Sequence, residues 1–443
     1  MTQVERPYKR LSPLTPLVRS AILVVAGVAT LRDDILRGDI GPLAWVVLAM
    51  LVGGAVLGTA SWLRTKYWIE ADELRVDTGI VSRQSRRIRV DRLQAIDIVQ
   101  PFVARLLGLA ELRMDVAGGT SGEGSLAFLT LREATDLRET LLTRRDAVRA
   151  ARAADREASP GAPGPPQPAA VQPERVLARL DLGLLLASLV LSTETLVVAV
   201  VSAGFVGVFV WFGHIGGLAA AVPVLLGLAL TQLRKLTAYY GFTVRTTAAG
   251  LQVQRGLLER STQTVALARV QGVVVTEPLL WRRLGWARLD VAVAGTSGTE
   301  SEGGPSASTV MPVADRAVVL ALARTLLEAS GSPDLDAVPL LPPPSRARWV
   351  APLGRRFLAV GLGADLVVSR EGILTRRLHA VPHARVQSLQ LRQGPWQRRL
   401  GLADLRVDSP PGPVRVRARH RDAGEARALL DRESAVTRAA RGV

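Results

Sequence analysis

The 443-residue chain combines 48% hydrophobic residues with a net charge of +17, 56 Lys and Arg against 39 Asp and Glu, and only 4% aromatics. Apolar stretches beside cationic ones predict membrane segments joined to basic soluble parts, and the length predicts two or three domains. The lack of cysteine excludes disulfides, thiol nucleophiles and cysteine-based zinc sites.

Residues 1–66 read as an N-terminal tail and a first transmembrane hairpin. Arg6, Lys9 and Arg10 form a basic flank. Leu17 to Leu31 is apolar but short, whereas Leu43 to Leu63 carries no charge over 21 residues, enough to cross about 30 Å of hydrocarbon. Trp45 and Trp62 fall near its two ends, where aromatic rings favour the interface. The connector holds Asp33, Asp34 and Asp39, and the outer flanks add Arg64 and Lys66, so the positive-inside rule places both ends in the cytoplasm.

From 67 to 149 the pattern turns to short alternating strands: Tyr67–Ile69, Leu74–Val76, Ile88–Val90 and Leu112–Val116, with Asp77-Thr78-Gly79 as a hairpin turn. Leu126 to Leu131 adds a strand, and Thr130 with Glu133 forms a capping box that opens a helix to about Ala150. Residues 150–173 are a Pro/Ala-rich linker. Residues 174–236 hold a second hairpin, with spans near Thr195–Phe212 and Leu218–Leu236. Arg175 to Thr193 reads as an interfacial or partly inserted helix before it. Glu194 is expected at the membrane boundary. A second β-rich module fills 237–330 and ends in a helix over Val313–Ala329. A Pro-rich linker occupies 331–345, and a third module fills 346–443, ending in a helix from about Asp422 to Arg438. No apolar hairpin precedes the third module, which is therefore expected to swing on its linker.

The three modules are copies of one another. Gly79, Arg83, Arg92, Gln94, Gly108, Ala110 and Leu112 recur at identical spacing as Gly256, Arg260, Arg269, Gln271, Gly285, Ala287 and Leu289, and again as Gly372, Arg376, Arg385, Gln387, Gly401, Ala403 and Leu405. Each copy is a run of antiparallel strands closed by one helix. The recurrent glycines suit turns needing φ > 0. Arg92, Arg269 and Arg385 could grip an anion through the guanidinium fork, but recurrence in every copy favours a part in the shared fold. Arg83, Arg86, Arg87, Arg89 and Arg260 form basic strand edges. These either contact anionic headgroups, at about 1 kcal/mol per arginine near the surface, or remain an ordinary solvated face. His379 and His383 are four apart, but Pro382 between them opposes a helical ligand pair. No catalytic triad, repeated carboxylate pair or nucleotide loop is present in the sequence. The aromatics cluster beside the apolar spans instead of interleaving with basic strands, which disfavours nucleic acid.

Gly-Ile-Val-Ser-Arg (79–83), Arg-Leu-Gln-Ala (92–95) and Gly-Leu-Ala-Glu-Leu (108–112), with their counterparts in the other two copies, resemble the bacterial pleckstrin-homology-like, membrane-flanked domain family. The three-copy layout resembles its long YdbT-like members. The resemblance implies an α+β membrane protein in which three PH-like domains, each an antiparallel β-sandwich or barrel closed by a C-terminal helix, accompany about four transmembrane helices in two hairpins. It implies no catalytic residue, cofactor or small-molecule substrate. The expectation is a non-enzymatic scaffold, multi-pass in the bacterial cytoplasmic membrane with both termini cytoplasmic. Its domains would bind protein partners, each other or anionic lipid headgroups, in envelope maintenance or protection against membrane-active peptides. The alternative is an accessory subunit of a membrane transport or export complex, with the small residues Gly53, Gly54, Gly58, Gly204 and Gly207 packing against partner helices.

Overall fold

The computed structural model describes residues 9–10, 53, 66–70, 73–78, 84–116, 124–157, 175–212, 216–247, 250–294, 308–328, 335, 338–410 and 412–441. The expected first hairpin apart from Gly53, the turn at Gly79 with Arg83, most of the first linker and part of the second lie outside them. The chain divides into two compact units, residues 1–170 with 258–263, and residues 171–257 with 264–443.

In the first unit β1 (Lys9–Arg10), β2 (Lys66–Glu70), β3 (Glu73–Thr78) and β4 (Gln84–Arg89) form one antiparallel sheet in that order. β5 (Leu93–Pro101), α1 (Phe102–Leu106), β6 (Leu109–Val116) and β7 (Gly124–Thr130) follow. β6 lies between its two neighbours. The long helix α2 (Leu131–Glu157) closes the module. Its start is held by the expected box: Glu133 N–H donates to Thr130 Oγ1 at 3.3 Å, and Thr130 N–H donates to Glu133 Oε2 at 3.1 Å. Alternation along the strands drives Leu74, Val90, Leu93, Leu112 and Leu129 to one side, where they meet Leu141 of α2 in a sealed core. The outer edge of β5 pairs antiparallel with residues 259–262, Pro101 opposite Glu259 and Gln100 opposite Arg260.

The second unit opens with β8 (Arg175–Arg179), so the helix expected over Arg175–Thr193 begins only at Leu182. Arg-Val-Leu-Ala-Arg alternates with period two and pairs with the edge of β9, so a neighbouring strand overrides the helix-compatible composition. Three helices come next: α3 (Leu182–Val190), α4 (Thr193–Trp211) and α5 (Gly216–Tyr239). The second module then runs β9 (Thr243–Thr247), β10 (Gly250–Arg255), β11 (Glu259–Val265), β12 (Val270–Pro278), α6 (Leu279–Leu284), β13 (Trp286–Val293), β14 (Thr309–Asp315) and α7 (Arg316–Glu328). The third repeats this order as β15 (Ala359–Leu362), β16 (Leu366–Glu371), β17 (Thr375–Pro382), β18 (Ser388–Arg392), α8 (Pro395–Arg399), β19 (Leu402–Asp408), β20 (Val416–Asp422) and α9 (Ala423–Arg441). The closing helix α7 buries Val319, Leu320, Leu322, Ala323, Leu326 and Leu327, the three-and-four spacing of a helix face laid on a sheet.

The modules do not keep their sheets to themselves. One six-stranded sheet, ordered β14-β13-β12-β17-β16-β15, takes half its strands from the second copy and half from the third. Its seam pairs Pro278 with Thr375 and Glu277 with Arg376. Val274, Ala292, Val367, Val381, Val414 and Val416 bury a shared apolar cluster across it. The third module is therefore fixed to the second, and the expected swinging on the linker does not occur. Chain connectivity suggested freedom; a continuous backbone ladder with a valine-rich core removes it.

Candidate membrane-facing site

Helix α4 is 19 residues long and is the one described helix that meets the length and apolarity needed to cross a membrane. At 1.5 Å per residue it spans about 28 Å. None of it is buried within the protein; Val200 and Trp211 are 70% and 86% exposed. Val222, Leu226 and Leu233 on α5 are also exposed. Bare apolar surface of this extent on two packed helices marks a membrane or partner surface.

The opposite character appears at the start of α4. Ser192 caps the helix, accepting from Thr195 N–H at 3.2 Å, and Gln232 Nε2 of α5 donates to Thr195 Oγ1 at 2.7 Å. Glu194 forms an ion pair with Lys235. These polar groups gather at one end of the helix pair and form its polar base.

Two hairpin tips of the β-rich modules reach that base, and a short helix beside them is tied to α3. The tip between β10 and β11 contacts α5: Leu257 N–H donates to Thr237 O at 2.7 Å, and Gly256 N–H to Tyr240 O at 2.9 Å. The tip between β16 and β17 reaches α4, with the Thr193 and Thr375 hydroxyls 3.2 Å apart. The short helix α6 is tied to α3 by the Trp281 indole N–H, which donates to Ser188 O at 3.2 Å. Arg282 of α6 then donates to Ile373 O at 2.8 Å, joining helix to tip. Around this junction Leu257, Leu279, Leu284, Ile373 and Leu374 are exposed, the last three by 48%, 42% and 51%.

The tip has a defined backbone cause. Gly372 has φ 100°, and a Cβ there would lie 1.9 Å from Thr375 O. Only glycine closes this hairpin, and closing it turns Ile373 and Leu374 outward.

Beneath the tips sits a cluster of charge. Glu277 is almost fully buried, accepts from Arg316 Nε at 2.8 Å and lies 3.4 Å from Arg376 Nη1. Burial lowers the pKa of nearby Arg282, as does the adjacent Arg376 guanidinium, while Glu277 acts the other way. Three guanidiniums around one carboxylate leave a cationic excess beside the apolar rim.

The repeated residues take distinct places. Gly108, Gly285 and Gly401 share the left-handed region at φ 69°, 73° and 61°, each ending the short helix of its module. Arg269 donates to Ala294 O within its own module, and Gln271 Nε2 to Arg269 O at 3.3 Å. Arg385 instead crosses to the second module, donating to Ala268 O at 2.9 Å. Arg92 is exposed, and Gln94 lies on β5. Arg260 and Arg376 occupy equivalent seam positions opposite Gln100 and Glu277. Arg86 and Arg87 are exposed on β4, while Arg89 pairs with Asp91 at 3.0 Å. Gln387 lines a 770 Å³ cleft with Gln390, Arg406, Asp408, Arg415 and Arg417.

The two spaced histidines have separate partners. His379 Nδ1 accepts from Arg415 N–H at 3.1 Å. His383 is buried against Glu433, its Nδ1 2.7 Å from Oε1, with Nε2 3.3 Å from Gly363 O. Burial opposes a charge on His383, but the Glu433 carboxylate and the Gly363 carbonyl outweigh it and raise its pKa. Among the described residues no His, Asp and Glu group could hold a metal ion.

Gly79, Gly256 and Gly372 each open an apolar pair on the way to the Arg column, a pattern that marks a turn but not the exposure of the pair. The apolar pairs Leu257-Leu258 and Ile373-Leu374 recur in register with those columns, and that recurrence was the available signal.

A family model for the bacterial PH domain matches three times, at residues 20–145, 184–330 and 343–435. The chain belongs to the bacterial PH domain family. It is also similar to the UPF0699 transmembrane protein YdbT of Bacillus subtilis (strain 168), 23% identical over 280 residues, covering 59% of this chain and 54% of that protein. The chain thus spans about half the length of the curated relative it matches. No solved structure matches.

Proposed function

We propose that the chain is a non-enzymatic scaffold of the bacterial cytoplasmic membrane, multi-pass with both ends cytoplasmic, whose PH-like modules lie against the inner leaflet and read its anionic headgroups. The observation that carries this reading is the convergence of two hairpin tips on the polar base of α4 and α5, with α6 tied to the adjoining α3 and to one of the tips. The exposed leucines and isoleucine there would enter the headgroup layer. Each apolar side chain moved out of water contributes about 1.5–3 kcal/mol when fully buried. Arg282, Arg283 and Arg376 beside them would meet phosphate at about 1 kcal/mol each. The YdbT relative's name, a transmembrane protein, supports the membrane setting.

Reconstitution of the full chain in nanodiscs of neutral or anionic lipid tests it. Amide exchange across 279–284 and 373–377 should be slower in anionic discs, and the difference should vanish in high salt as surface charge is screened. Identical exchange in both lipids would remove the headgroup contact.

A further inference from the structure

The seam between modules uses one register twice. In the first unit Ile98 faces Thr262 and Gln100 faces Arg260; in the second, Val275 faces Leu378 and Glu277 faces Arg376. Carried along the repeat columns these are the same pairs. A second-half strand of one copy always receives the third strand of the next.

Two ends of this series have no mate in the described residues. β18 is the terminal strand of the β18-β19-β20 sheet, and β4 is the terminal strand of β1-β2-β3-β4. β18 is the third-copy counterpart of the receiving strands β5 and β12. β4 is the first-copy counterpart of the inserting strands β11 and β17. Open edges of five and six residues present rows of backbone donors and acceptors, which proteins normally cover or block. No proline or bulge blocks either one.

We propose that β18 of one chain receives β4 of a second copy in the same register, joining copies head to tail. The repeat columns then place Leu391 opposite Ser85 and Leu389 opposite Arg87. No like charges stand opposite each other at these pairs. The outward residues of β19 favour this mating. Arg406 and Asp408 match Arg113 and Asp115, the charged pair that the first copy carries on the sheet where residues 259–262 are seated. At the seam between second and third copies those columns are Asp290 and Ala292 instead. The third copy thus ends in a surface of the kind that already receives a strand. A heterologous joint of this type propagates beyond a dimer unless rotation closes it.

This inference rests on the scaffold reading for its biological sense, but its test is independent of lipid contact. The parent chain contains no cysteine, and facing residues of paired strands sit about 4.5–5.5 Å apart, within disulfide range. Full-length Ser85→Cys and Leu391→Cys chains, co-expressed and oxidised in native membranes, should give a disulfide dimer on non-reducing gels. Neither single variant alone should do so. The double variant S85C/L391C should give a ladder, and the pair Arg87→Cys with Leu389→Cys should behave alike. Ser85→Cys with Leu389→Cys, one step out of register at about 7–8 Å, should cross-link at least tenfold less. Equal yields in and out of register would reveal random collision and overturn the proposal. So would a faster-migrating closed monomer or no cross-link at all. Retained headgroup contact with no cross-link would sink the joint and leave the membrane reading standing.

Discussion

The buried pair His383 and Glu433 makes a prediction that can be worked through. Both side chains are sealed from solvent, and both ring nitrogens of His383 point at acceptors, so the imidazolium is the form the fold holds. Glu433→Ala leaves that cation without its carboxylate, a loss of about 3–5 kcal/mol for breaking a buried pair. Glu433→Gln keeps the shape and one acceptor; a neutral bond replaces a charged one, and the loss falls to about 1–2 kcal/mol. The sign of the pH dependence follows from the raised histidine pKa. The stabilisation is fully present below the unfolded value of about 6.5 and is lost as pH rises through the folded value. Hydrogen exchange of α9 in the micelle-solubilised full chain, corrected for intrinsic rates, reads this locally. Wild type should lose protection with rising pH across that window, and E433Q should show a flat profile. Equal losses for Ala and Gln, with no pH slope in wild type, would refute the ion pair.

Further outcomes follow from single contacts. Trp281→Phe removes the indole bond to Ser188 O and should lower the protection of α3 by about 1 kcal/mol. Gly372→Ala forces a Cβ against Thr375 O at φ 100° and should cost about 2 kcal/mol or more by thermal unfolding. Gly401→Ala, at φ 61° with only Arg346 nearby, should cost about 1 kcal/mol. Glu277→Ala should cost about 1–2 kcal/mol, because its arginine partners are partly exposed and can turn to water. The loss should localise to exchange at β12 and β17.

Much of the architecture could be read from residue order. The strands around Leu74 and Leu112 alternate cleanly, and Thr130 with Glu133 announces α2. Gly372 and Gly285 declare positive φ by recurring where a chain must turn. Other features were hidden for physical reasons. β12 is buried on both faces, so Val270–Val275 shows no alternation to detect. β8 is a strand only because β9 offers it an edge. The fixed third module depends on valines 274, 367, 381 and 414, which lie far apart in sequence and meet only across the seam. The site was half legible: the Gly and Arg columns and the apolar pair after each Gly stood out, while the exposure of Ile373 and Leu374 depends on a tip conformation that residue order does not show. The bond from Trp281 to Ser188 joins residues 93 apart in sequence and carries no local signal.

In the proposed arrangement the tip carrying Ile373 and Leu374 sits in the headgroup layer although no apolar hairpin precedes its own module. Leu374→Cys carrying an environment-sensitive fluorophore, in the full chain reconstituted in liposomes, measures this directly through quenching by shallow spin-labelled lipid. The account predicts strong quenching at Leu374, matched by Leu257→Cys, with a water-exposed reference at Arg398→Cys unquenched. A Leu374 probe that is quenched only by soluble iodide, like the reference, would contradict it.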